Sequence, residues 1–332
     1  MKCDIDTIPR LRINNLPTPL VELKRLAAEL GGPRIFMKRD DLTGVALGGN
    51  KTRKLEFLLG EAASQGCDTV ITGGAMQSNH CRQTAAAAAA AGLECHLALG
   101  GAAPAVPSGN LLLDHIFGAT VHWCGEHEKG ELIPEIAGAL SSKGRRPYVI
   151  PFGGSNPTGA LGFVAAVREL KAQLSALGER IDYLILPSAS GGTHAGMAVG
   201  ADVFDLDASI IGVGIDRGSP GEPSYESELA SLANQTARRL GVDRRYDAAS
   251  FRMRYGYFGE GYGVVGPAER EAIRLVGARE GILLDPVYTA RAMAGLIDMI
   301  RKGEFTPRDV VLFWHTGGIP AVFDHAKDIV VE

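Results

Sequence analysis

Short β-branched runs alternate with helical stretches along nearly the whole chain. That rhythm restricts it to an α/β fold with parallel strands and helices on their faces. The strand candidates are 34–38, 69–72, 95–99, 120–123, 148–151, 183–187, 210–215 and 310–314. Between them, helical spacing appears over 78–91, 157–177, 193–203, 267–280 and 288–301. In such folds ligands bind at the carboxyl ends of the strands. Here the polar, glycine-rich stretches 73–80, 188–192 and 315–318 fall on those ends. With 332 residues the chain exceeds one ordinary hydrophobic core, so two domains or one large α/β unit are expected.

The chemistry centres on Gly48-Gly49-Asn50-Lys51-Thr52-Arg53-Lys54-Leu55, a lysine between a glycine turn and an amphipathic helix. The glycines leave a flat ring room to approach. The helix dipole disfavours an ammonium at its N-terminus and lowers the lysine pKa, as covalent amine chemistry requires. Two other readings stand beside this one: a solvated surface lysine next to Arg53 and Lys54, and a phosphate loop built on Gly44 and Gly49. The latter is disfavoured because Asn50 separates glycine from lysine.

Four further segments sit where strands hand over to helices or loops. Ser188-Ala189-Ser190-Gly191-Gly192-Thr193-His194 offers free amides and hydroxyls suited to a phosphate, or an ordinary capped turn. In Gln77-Ser78-Asn79-His80, the helix start suits a carboxylate, while Ser78 equally suits an N-cap. The loop from Tyr255 to Gly263, with Tyr262, is dense in glycine and aromatic rings. It could close over a small ligand and supply a phenol, or be a surface loop pinned by buried rings. Tyr288 falls in a first helical turn near strand ends, or is core filler. Thr316, in His315-Thr316-Gly317-Gly318, could hydrogen-bond a ring nitrogen or cap the last helix.

Bulk properties exclude several classes. The net charge of −4 gives no electrostatic reason to bind nucleic acid or an anionic membrane. No apolar run reaches the roughly 18 residues of a membrane helix, and the start lacks a secretory h-region. A cytoplasmic location is the expectation. Cys3, Cys67, Cys81, Cys95 and Cys124 form no C-x-x-C pair and read as free thiols. The scattered histidines indicate no metal. The turn at 153–157 reads as an inter-domain hinge.

Taken together, these segments resemble the pyridoxal-phosphate enzymes of the tryptophan-synthase β-subunit fold (fold type II). Within that group they resemble the D-cysteine desulfhydrase and 1-aminocyclopropane-1-carboxylate deaminase family. The match runs from Thr18-Pro19-Leu20 to the C-terminus and includes Lys38-Arg39-Asp40-Asp41 and Asp285 to Tyr288. The resemblance implies two three-layer α/β domains: a large one from 1–50 plus 162–332, and a small one over 51–161 that carries the lysine helix. It implies a homodimer and pyridoxal 5'-phosphate held covalently by Lys51. Asn79 would contact the ring oxygen, Ser190, Gly191, Gly192 and Thr193 the phosphate, and Thr316 the pyridine nitrogen. Lys51 would take the substrate α-proton, and Ser78 with the neighbouring amides would hold the carboxylate. Ser78, Asn79, His80, Tyr262, Tyr288 and Thr289 would surround the substrate.

Deaminases of this group place a glutamate after the second tyrosine and a leucine before the final Gly-Gly, where this chain has Thr289 and Thr316. A carboxylate near the pyridine nitrogen would favour its protonation, and a hydroxyl would leave it largely neutral. The expected reaction is therefore β-elimination, with D-cysteine giving hydrogen sulfide, pyruvate and ammonia. The alternative is L-cysteate giving sulfite, for which Arg217, His80 and His194 are conceivable sulfonate partners. The deaminase reaction ranks below both. Binding without turnover, and nucleotide binding at 44–52, are the readings from other classes.

Overall fold

The computed structural model describes residues 4–127, 130–215 and 224–330. Its strands are β1 (Leu20–Glu22), β2 (Arg34–Arg39), β3 (Thr69–Gly74), β4 (Glu94–Leu99), β5 (Thr120–Trp123), β6 (Pro147–Val149), β7 (Tyr183–Ser188), β8 (Ser209–Gly214), β9 (Arg252–Arg254) and β10 (Val310–His315). The first six helices are α1 (Lys24–Leu30), α2 (Asn50–Ser64), α3 (Asn79–Ala91), α4 (Gly109–Ile116), α5 (Ile133–Ser142) and α6 (Pro157–Leu177). Then follow α7 (Gly192–Val203), α8 (Tyr225–Arg239), α9 (Pro267–Glu280), α10 (Thr289–Arg301), α11 (Pro320–Asp324) and α12 (Ala326–Ile329).

The strands form two sheets. The larger runs β1-β2-β10-β7-β8-β9, parallel except for the edge pair β1–β2, and the smaller runs β5-β4-β3-β6, all parallel. Both faces of each sheet are covered, as parallel sheets require. On one face of the large sheet, Ile185, Ile211 and Val311 pack with Leu296 and Met293 of α10 and Val276 of α9. On the other, Leu184, Leu186 and Trp314 pack with Phe163 and Val167 of α6. The small sheet packs Val70 and Leu97 against α2 and α3, and Ile71 and Ala98 against α5. The architecture is α/β with mostly parallel strands in two sheets.

Two local features decide where the chemistry can sit. In α3 the run from Ala85 to Ala88 is wholly buried, because side chains of one carbon let that helix approach its neighbours closely. Beneath α2 lies a buried ionic network. Arg53 grips Asp40 through Nε and Nη2, each at 2.8 Å, and reaches Glu169 at 2.9 and 3.0 Å. Lys38 Nζ donates to Glu169 Oε1 at 2.5 Å, and Trp314 Nε1 to Asp40 Oδ2 at 2.8 Å. These bonds join α2, β2, α6 and β10. Removing one partner would strand a buried charge, at a cost of about 3–5 kcal/mol.

Among the described residues, Cys67, Cys81, Cys95 and Cys124 are free thiols, and no group of His, Cys, Asp or Glu could hold a metal ion. Cys3 lies outside the described residues. Among the described residues, no helix is long and apolar enough to cross a membrane.

Candidate active site

Lys51 is the second residue of α2, and the turn before it admits no side chains. Gly48 has φ +67°, and a Cβ there would lie 2.0 Å from the Asp41 carbonyl oxygen. Ala46 and Leu47, just upstream, are both left-handed, with φ of 50° and 64°. Such conformations cost of order 1–2 kcal/mol per residue and persist only where surroundings impose them. Arg82 of α3 imposes them here, donating to the Ala46 and Gly48 carbonyls. The Gly49 amide is spent on the Asp40 carbonyl and the Thr43 hydroxyl, both at 2.8 Å. It is not offered outward as a phosphate loop would need.

The surface-lysine reading also fails. Arg53 and Lys54 are buried, and Lys51 itself lines a cavity of about 230 Å³ at the carboxyl ends of the strands. Burial pushes the Lys51 amine down to about 8, with the Asp285 carboxylate opposing. Desolvation, rather than the helix dipole invoked from sequence, is the leading cause.

The cavity gathers most of the expected residues. Lys51, Ser78, Asn79, His80, Ser190, Gly191, Thr193, Tyr262, Tyr288 and Thr316 all line it. Asn50 spans from the lysine to the anion cradle, its Nδ2 donating to Thr193 Oγ1 at 3.0 Å. Ser190 and Gly191 precede α7, whose first residues are Gly192 and Thr193. Its exposed amides and the helix dipole make that corner favourable to an anion. Gly192 is behind the wall, its N–H donating to Ser155 Oγ at 3.1 Å. Ser155 Oγ is also 2.8 Å from Ser190 Oγ.

At the α3 end, Ser78 is the N-cap, accepting from the Cys81 amide at 3.2 Å and keeping its own hydrogen to donate. Both sequence readings of Ser78 are thus compatible. Asn79 Oδ1 accepts from Asn110 Nδ2 at 2.9 Å. Thr72 spends its hydroxyl hydrogen on the Ile150 carbonyl, so it must accept from His80 Nε2 at 2.9 Å. That fixes the tautomer and leaves Nδ1 as a buried acceptor without a protein partner. Burial, then the charges of Lys51 and Lys54, hold His80 neutral. Burial likewise pushes His194 down to about 3.

Tyr262 and Tyr288 meet hydroxyl to hydroxyl at 2.6 Å, their rings edge to face. Thr289 is different. It was expected to face the substrate, but it is fully buried and its hydroxyl donates to Asp285 Oδ1 at 2.6 Å. Consecutive residues at a helix start point about 100° apart, so when Tyr288 faces the cavity its successor turns away. Asp285 also accepts the amides of Val287, Tyr288 and Thr289, an acidic cap on the start of α10. Arg217 lies outside the described residues.

Sequence reading missed Lys54. It sits one turn from Lys51 on the same helix face, and its Nζ donates to the Gly153 carbonyl at 2.9 Å and to Ser155 Oγ at 3.1 Å. Burial and the Lys51 charge hold its pKa well below the usual lysine range. The i, i+3 spacing was the available signal.

A lysine amine and an anion-binding helix start on one cavity, in a two-sheet α/β fold, define the enzymes that carry a phosphorylated aldehyde cofactor. Residues 11–317 match the family described as pyridoxal-phosphate dependent enzyme, and the chain belongs to that family. It is 43% identical over 326 residues to the D-cysteine desulfhydrase of Klebsiella pneumoniae (strain 342), covering 96% of this chain and 97% of that one. It is 42% identical over 322 residues to the D-cysteine desulfhydrase of Salmonella choleraesuis (strain SC-B67), covering 95% of each. A crystal structure of an ACC deaminase homologue superposes with a TM-score of 0.88 at 39% identity, covering 98% of this chain and 96% of that one.

Pyridoxal 5'-phosphate is the cofactor. The residues present fit it. A cradle of amides and hydroxyls at 190–193 suits a phosphate, and the Lys51 amine has its pKa lowered toward neutrality. The unpartnered His80 Nδ1 awaits a donor.

Proposed function

We propose that this chain catalyses β-elimination on a cysteine-like amino acid, with D-cysteine and water giving hydrogen sulfide, pyruvate and ammonia. One observation carries the reading. Lys51 and the Tyr262–Tyr288 hydroxyl pair share a cavity whose described lining residues include no carboxylate and no arginine. A neutral thiol side chain suits such a wall better than a sulfonate, which would need donors of its own beyond those given to the phosphate and the carboxylate. Burial favours the neutral form of both histidines, which makes them poor counter-charges.

In this reading Lys51 would hold the cofactor and its amine would take the substrate α-proton. The Ser78 hydroxyl and the first amides of α3 bind the carboxylate. Asn79 would contact the ring oxygen and Thr316 the ring nitrogen. Ser190, Gly191 and Thr193 would hold the phosphate, with Gly192, Lys54 and Ser155 behind them. Tyr262 and Tyr288 flank the substrate and protonate the departing sulfur. The bound cofactor supplies the electron sink.

L-cysteate, releasing sulfite, is the second reading. Deamination of 1-aminocyclopropane-1-carboxylate is third, since Thr316 stands where that reaction's members carry leucine. A panel of D-cysteine, L-cysteine, L-cysteate and 1-aminocyclopropane-1-carboxylate separates them, read as sulfide, sulfite, pyruvate and ketobutyrate. Sulfide and pyruvate from D-cysteine support the proposal. Preferred release of sulfite or ketobutyrate would overturn it.

The small sheet lies wholly within 51–161, which supports a small domain there and a large one from 1–50 plus 162–332. A homodimer goes with Leu112 and Ile116 of α4 and Phe323 of α11, which are exposed on helices joined by the Ser108–Asp324 bond. A cytoplasmic location goes with the unpaired buried thiols.

A further inference from the structure

Arg291 lies one turn beyond Tyr288 on α10 and is fully buried. Its guanidinium joins four separate positions. Nε donates to Glu269 Oε1 at 3.0 Å and Nη1 to the Ile215 carbonyl at 2.9 Å. Nη2 donates to the carbonyls of Gly261, at 2.5 Å, and Val264, at 2.8 Å. The Gly261 carbonyl belongs to the peptide bond that joins Gly261 to Tyr262. Arg291 therefore grips the backbone that carries the phenol, while Tyr288, on the same helix start, holds the phenol's hydroxyl at 2.6 Å. Tyr262 is held at both ends from α10.

The start of the loop is tied by the Tyr255 hydroxyl to Glu226 at 2.9 Å and the Tyr257 hydroxyl to Asp298 at 2.6 Å, and Arg291 acts on the stretch beyond them. Gly256, Gly259, Gly261 and Gly263 all have positive φ, and Tyr262 is 43% exposed. A glycine-dense, exposed segment loses much entropy on ordering and has few apolar contacts to offset it. Polar anchors must fix it. Glu269 neutralises the buried guanidinium and accepts the Gly266 amide at 3.0 Å, which pins the far end of the loop. Only a rigid fork with several donors reaches all these acceptors at once; a lysine ammonium has a single centre.

We infer that Arg291 is a positioning residue that fixes where the Tyr262 phenol stands over the cavity, and that it affects turnover through Tyr262. The inference rests on the role proposed for Tyr262. Its test joins hydrogen exchange on the cofactor-free protein to a double-mutant cycle on the holoenzyme. In Arg291→Lys, which keeps the charge beside Glu269, amide protection over 256–265 should fall roughly tenfold or more while the α6 amides stay protected. Arg291→Lys and Tyr262→Phe should each lower kcat about tenfold or more, and the double variant should be no slower than the worse single one. Unchanged protection over 256–265, or losses that multiply in the double variant, would overturn the inference. Wild-type turnover in Tyr262→Phe would overturn the role given to the phenol, with exchange still deciding whether the clamp exists. Should Arg291→Lys fail to fold, Arg291→Gln combined with Glu269→Gln leaves no uncompensated buried charge and gives the same comparison.

Discussion

The amide of Asn50 donates to the carbonyl of Thr316 at 2.9 Å, which joins the turn that presents Lys51 to the turn that ends β10. The two turns pack backbone on backbone. A Cβ at Gly317 would lie 2.6 Å from Gly49 Cα, and Gly317 itself has φ +87°. A side chain at Gly317 would force the two turns apart and move the lysine from the large sheet.

Gly317→Ala should therefore lower stability by about 2–4 kcal/mol through a positive-φ alanine and a backbone clash, and weaken cofactor binding with it. Chemical denaturation and cofactor titration would check this. An unaltered unfolding midpoint would mean that the turns can part at little cost.

The lysine itself should show a pH signature. Only the neutral amine attacks an aldehyde, and the Lys51 pKa is lowered to about 8. Capture of added pyridoxal phosphate by the cofactor-free protein should thus speed up as pH rises, with its midpoint near 8. A midpoint above roughly 10, where an ordinary lysine titrates, would show that burial does not act on this amine.

The ionic network beneath α2 should govern acid stability. Burial raises the Glu169 pKa, but hydrogen bonds and charge from Arg53, then Lys38, outweigh it and hold the group at about 2. A carboxylate whose pKa is depressed on folding stabilises above its unfolded value and loses that contribution as pH falls. The window runs from the ordinary value of 4.5 down to about 2. It is worth about 3 kcal/mol at neutral pH. Glu169→Gln should destabilise by about 3–5 kcal/mol near pH 7 and flatten the stability profile across that window. Urea unfolding at stepped pH would reveal a profile as steep as wild type if Glu169 were not the titrating group.

Tyr288→Phe removes one hydroxyl of the 2.6 Å pair while leaving the Asp285 cap on α10 intact. Turnover should fall by about 10–100-fold, the range for a lost proton-transfer group, with cofactor absorbance unchanged. Unchanged kcat would reduce Tyr288 to packing.

Much of this arrangement is legible in the chain itself. The buried parallel strands β3, β4, β7, β8 and β10 announce themselves as short apolar runs, because both faces of each are covered. The three-residue edge strands β1 and β9 carry no comparable signal, being too short for a period to show. Lys51, Ser78, Asn79, Ser190 and Thr193 stood out because glycine turns and helix starts mark strand ends. Lys54 did not, since a lysine among charged neighbours reads as solvated until the helix is seen to be buried all round. Thr289 was placed at the site by the family resemblance, and helical rotation turned it onto Asp285 instead. Arg291 was invisible because three of its four partners are main-chain carbonyls distant in sequence, which no side-chain pattern encodes.

The central claim is that Lys51, and not its buried neighbour Lys54, bonds to the cofactor. Borohydride reduction of the holoenzyme, followed by peptide mapping, tests it most directly. The account predicts that the pyridoxyl mass is fixed on Lys51. A label on Lys54, or a reduced protein carrying none, would contradict it.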